Sequence, residues 1–157
     1  MAFFGKSKDK NSAPRALPAG LQPGQIFPVN WARTPNKKFP RLVDLDPEES
    51  GLDGREGIYV VWHTGVRPEW VYIGKTQNMA AAMHALAYNK EVMHYEKAGG
   101  LFVTWTLIDK MYHDGILTFL SAKLQPVVDN ADIPSAETVS PIAVIPPGLA
   151  PTPAKEA

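Results

Sequence analysis

Between residues 57 and 124 the hydrophobic pattern switches between the two-residue period of strands and the three-to-four-residue period of helices. Residues 57–62 and 70–73 are rich in β-branched and aromatic side chains, and the turn-forming run 63–69 between them predicts an antiparallel hairpin. Asn78 is a helix N-cap candidate for 79–88, where Met79, Met83, Leu86 and Ala87 share a face. A second short helix is expected over 91–98, ended by Gly99-Gly100. Residues 101–108 are apolar on both sides of the alternation, as a central strand buried on both faces would be. Helical spacing returns over 111–124 through Ile116, Phe119 and Leu120, and Pro126 stops it. The order β-β-α-(α)-β-α predicts an α+β domain, a small three-stranded antiparallel sheet flanked by helices.

Proline marks the expected boundaries, because it sustains neither helix interiors nor inner strands. Seven of the fifteen prolines fall in 1–55, two in 57–130 and six in 131–157. This divides the chain into a Pro-rich N-terminal arm (1–55), a folded centre (56–130) and a Pro/Ala-rich tail (131–157). The arm is expected to be partly disordered and the tail extended or disordered. One alternative stays open for the tail: its stretch Pro141-Ile142-Ala143-Val144-Ile145 is apolar enough to dock onto the core as an edge segment.

Composition sharpens this picture in two places. The formal net charge of zero conceals a basic stretch, residues 1–43, with eight Lys or Arg against the single acid Asp9. Any polyanion is therefore expected to meet the arm first. The absence of cysteine excludes disulfides, thiolate zinc sites and a cysteine nucleophile. No apolar run is long enough for a transmembrane helix, and the first residues lack a signal-peptide core, so a cytoplasmic protein is expected. Phe3 and Phe4 beside Lys6, Lys8 and Lys10 keep open a contact with an anionic membrane surface, against the ordinary behaviour of a chain terminus.

Gly57-Ile58-Tyr59 on the first strand is followed, after twelve intervening residues, by Tyr72-Ile73-Gly74 on the second. Lys75-Thr76 comes directly after, Gln77-Asn78-Met79 enters the first helix, and Lys123-Leu124-Gln125-Pro126 with Asn130 closes the unit. Over 57–130 this combination resembles the GIY-YIG nuclease superfamily. The resemblance implies a site built on Tyr59, Tyr72 and Lys75. Active members add an arginine that steadies the phosphate and a glutamate that holds a divalent metal, which together offset charge in the transition state. At the matching positions this chain has Ala82, ten residues after Tyr72, and Leu117, nine residues before Pro126. The resemblance therefore implies a catalytically degenerate domain, with no cofactor expected. Mg2+ or Mn2+ enters only under a nuclease alternative, in which Asp114 would stand in as the metal-binding carboxylate.

Each candidate also has a plain structural role. Paired tyrosines on adjacent strands stabilise a small sheet, and Asp114 reads equally as a first-turn helix acid. The four histidines form no helical i, i+4 pair, so no zinc site is expected. Gly74-Lys75-Thr76 resembles the end of a phosphate loop, but the motif's first glycine would fall on Glu69. In the arm, Trp31, Arg33, Lys37, Lys38, Phe39 and Arg41 interleave cations with aromatics, the composition of a single-strand nucleic-acid binder or of a protein-docking peptide. Arg67 is a further phosphate-contact candidate. Residues 57–130 carry six acids and six bases and so offer no basic cleft. Three functions follow: a binding or adaptor module with a protein partner, a slow or repurposed metal-dependent DNA endonuclease, and a nucleic-acid binder acting through residues 1–43 without cleavage.

Overall fold

The computed structural model describes residues 20–22 and 24–148. The lysine-rich start, with Phe3 and Phe4, and the end of the tail lie outside them. Strands β1 (Gly57–His63) and β2 (Glu69–Thr76) form the expected hairpin, followed by helices α1 (Met79–Ala87) and α2 (Lys90–Met93). A 3-10 turn over His94–Lys97 leads into β3 (Leu101–Thr106), and a second over Lys110–Tyr112 leads into α3 (His113–Leu124). The fold is a small α+β arrangement with a three-stranded antiparallel sheet in the order β2-β1-β3.

The central strand is β1, every residue of which is buried. Its alternation divides the core in two. Tyr59 and Val61 face a cluster with Met79, Met83, Leu86 and Val92 from α1 and α2. Ile58, Val60 and Trp62 face Ile116, Leu117, Leu120 and Leu124 of α3. Helix α1 starts where Asn78 accepts from the Ala81 N–H (3.3 Å). Two further donors of its first turn, the Met79 and Ala80 N–H groups, are taken by Arg55 O and Leu52 O. Helix α3 ends at Gln125 in a left-handed conformation (φ 51°), followed at once by Pro126.

Strand β3 is not central. It lies at the sheet's edge, with Leu101, Val103 and Trp105 against the α1–α2 cluster and Phe102 against the α3 cluster, and the chain that precedes β1 pairs with its open edge. Val103 N–H donates to Pro40 O and Ala32 N–H to Trp105 O, so residues 30–41 cover its outer edge. The other edge is covered as well: Val127 and Val128 donate to Trp70 O and Val71 O. Covering both edges removes the unpaired row of N–H and C=O groups that promotes strand addition.

The boundaries expected from proline content do not mark the packed unit. Leu42 and Leu52 of the arm are buried with the α1–α2 cluster. Beyond residue 130, Ile142 and Val144 are each 2% exposed, against the α3 side of the sheet. Ile142 N–H donates to Gly115 O (2.9 Å), an approach that a side chain at position 115 would block. Phe27 N–H in turn donates to Ala143 O (2.7 Å), so arm and tail also pair with each other. Proline content reports that these stretches are neither helix nor inner strand. It does not report where an extended stretch lies.

Candidate functional site

The β1–β2 ladder sets Tyr59 opposite Gly74 and Val61 opposite Tyr72, which brings the two tyrosines to one face with ring centroids 6.2 Å apart. The Tyr59 ring lies over Gly74, and a side-chain carbon there would collide with it. The glycine that ends the second tripeptide thus makes room for the tyrosine that ends the first. Asn130 Nδ2 donates to Ile73 O (3.0 Å) and fixes the chain beside this spot.

The electrostatics of the pair favour the neutral hydroxyls. Burial drives the Tyr59 hydroxyl well above its ordinary pKa, and the neighbouring Tyr72 and the Asp132 carboxylate push in the same direction. Tyr72 is raised as well, first by burial and then by Asp132 and Glu91. A tyrosine that activates water works best with its pKa brought down towards the working pH, which a nearby cation achieves. Here the neighbours are carboxylates, and at position 82 the side chain is a methyl group.

Lys75 does not join the tyrosines. It lies three positions after Tyr72, an odd step along a strand, so it leaves by the opposite face. It sits opposite Ile58, and its Nζ meets Asp114 Oδ1 at 2.7 Å in the first turn of α3. Asp114 is thus both a first-turn acid and the partner of Lys75. Leu117, one turn on, is fully buried among Ile58, Val60, Ile73 and Ile116. Ala82 packs on the tyrosine side. The residues expected to form one remnant site are therefore divided by the sheet: Tyr59, Tyr72 and Ala82 on one face, Lys75, Asp114 and Leu117 on the other.

Among the described residues, neither face brings together the several convergent oxygens that Mg2+ or Mn2+ asks for. Asp114 is engaged with Lys75, Leu117 has no donor, and among the described residues no three His, Asp or Glu side chains come together. The histidines serve separate local roles: His84 meets Glu48, His113 meets Ile108 O and His63 meets Glu69, each at 2.9 Å.

The arm's candidates are largely used within the molecule. The Arg33 guanidinium lies 4.1 Å from the centre of the Phe39 ring and donates to Lys37 O (3.0 Å). Phe39 packs edge-on against Trp62, and Trp31 Nε1 donates to Ile145 O (2.7 Å). Arg41 lies over Phe102 and donates to Gly99 O (3.1 Å). Lys37 and Lys38 remain exposed at a turn in which Lys37 takes a left-handed conformation (φ 64°).

Arg67 stands at the hairpin tip, beyond the His63–Glu69 end of the ladder and away from the tyrosines. There it lines a cavity of about 670 Å3 with residues that sequence reasoning passed over, Tyr95 and Lys97 among them. One signal was available, since His63 and Glu69 flank the turn at positions that pair across the hairpin. No protein-family model, curated protein or solved structure matches the chain.

Proposed function

We propose that the chain is a GIY-YIG-like domain without nuclease chemistry, working as a binding module for a protein partner. The observation that carries this reading is the environment of Tyr59: buried, beside Tyr72 and the Asp132 carboxylate, and on the other side of the sheet from Lys75 and Asp114. The family resemblance is supported by the element order and by the register that puts Tyr59 over Gly74.

A protein partner is favoured over nucleic acid by what the surface has left to offer. Two of the arm's arginines are committed to aromatic rings and backbone carbonyls, and Lys75 is paired with an acid. Large apolar side chains meanwhile stand in solvent, foremost Val66 at the hairpin tip and Tyr88 (86% exposed) after α1. Aromatic anchors of this kind carry much of the energy in protein interfaces.

The test is to isolate the full chain under native conditions, rebuild its complex from purified components and titrate binding. A stoichiometric complex weakened about tenfold or more by Tyr88→Asp or Val66→Asp is expected. Binding to DNA that weakens steeply with salt and disappears when residues 1–19 are removed and the exposed Lys37 and Lys38 are changed to alanine would replace the protein partner with nucleic acid.

A further inference from the structure

The cavity at the hairpin tip lies between the β1–β2 turn and the chain that follows α2. Its size, about 670 Å3, falls within the range of small-molecule sites. Its wall is arranged before any ligand arrives. His63 is 3% exposed and both its ring nitrogens are used: Gly65 N–H donates to Nδ1 (3.2 Å), which leaves the proton on Nε2 to donate to Glu69 Oε1 (2.9 Å). The Tyr95 ring stacks on the His63 ring with centroids 6.0 Å apart and planes 11° from parallel, so the histidine fixes an aromatic wall as well as a carboxylate.

The charges do not cancel. Glu69 is the wall's one acid and is held by His63, whereas Arg67 and Lys97 form no ion pair among the described residues. With two cations against one carboxylate, the wall keeps a net positive charge beside a fixed aromatic ring, which favours a ligand that combines a planar apolar body with an anionic group. The ring contributes stacking area, and a charge-assisted contact favours an anion over its neutral analogue.

We propose that this cavity binds a small aromatic anion, its ring against Tyr95 and its acidic group between Arg67 and Lys97. The site lies at the tip of the hairpin, two ladder steps beyond the Val61–Tyr72 pair, and its argument uses neither Tyr59 nor Tyr72, so it stands whether or not the family reading holds.

The experiment is a titration of the isotope-labelled full-length chain, followed by amide NMR, with benzoate and AMP and with their neutral counterparts benzamide and adenosine. Shifts confined to residues 63–69 and 94–99 are expected, with each anion binding at least about tenfold tighter than its neutral counterpart. The double variant Arg67→Ala/Lys97→Ala removes only exposed side chains and should erase that difference while leaving the spectrum elsewhere unchanged. Equal binding of charged and neutral compounds would overturn the proposal. So would shifts centred elsewhere, no shifts at all, or an unchanged preference in the double variant.

Discussion

The two faces of the sheet divide the candidate residues between them and use them differently. On the α1–α2 face, Tyr59 and Tyr72 lie side by side at the rim of a core and next to carboxylates. On the α3 face, Lys75 and Asp114 form a half-exposed ion pair at the edge, while Leu117 lies in the interior. Both faces are packed, and among the described residues neither brings together a converging set of charges. A motif can thus persist for what it does to the sheet: Gly74 admits the Tyr59 ring, and the ring covers a position with no side chain of its own.

The largest expected effect separates the two positions that lack the family's charges. Leu117→Glu would bury a carboxylate with no partner in the α3 core, at a cost of several kcal/mol, enough to unfold many domains of this size. Ala82→Arg, at a half-buried position on α1, should cost less than about 1 kcal/mol. Urea unfolding of the two variants measures the contrast; equal losses would mean that the faces are not divided as described. For the same reason, restoring both charges would not rebuild a nuclease site.

Next comes the tail. Ile142→Ala should remove about 2–4 kcal/mol, the range for an aliphatic side chain deleted from a packed core. An effect below about 0.5 kcal/mol, as for an ordinary surface position, would detach residues 131–148 from the core.

A smaller effect appears in alkali. The unfolded chain's tyrosines ionise near pH 10. Because burial and its acidic neighbours raise the pKa of Tyr59, the folded state keeps that proton to higher pH. Tyr59 thus contributes stability that is complete below about pH 10 and is lost above it, by about 1.4 kcal/mol per pH unit. Tyr59→Phe should flatten the decline by that amount over the first unit, measured as the difference between the two proteins. An unchanged slope would remove the argument that the tyrosine is held neutral.

The smallest effect belongs to the edge of the α3 face. A double-mutant cycle on Lys75→Ala and Asp114→Ala should give a coupling below about 1 kcal/mol, shrinking with salt, because both partners remain partly in water.

Much of the fold was legible because local chemistry decides it. The hairpin, the Asn78 cap and the stop at Pro126 depend on residues within a few positions of each other. The split of the candidate site was legible in principle too, since the odd step from Tyr72 to Lys75 sends them to opposite faces. What stayed hidden depends on long-range contacts. Two-sided apolar alternation made β3 look central, but it is an edge strand covered by the arm through Ala32 and Pro40. Composition could not reveal that Ile142 reaches Gly115. Asp132 lies sixty residues from Tyr72, and nothing local links the two.

The central claim, binding without cleavage, is tested most directly by incubating the full-length chain with supercoiled DNA and Mg2+ or Mn2+, with EDTA as the control. The account predicts that supercoiled DNA stays intact at protein in molar excess. Metal-dependent nicking that disappears with Tyr59→Phe and with Asp114→Ala would contradict it, because residues on opposite faces would then be acting on one phosphate.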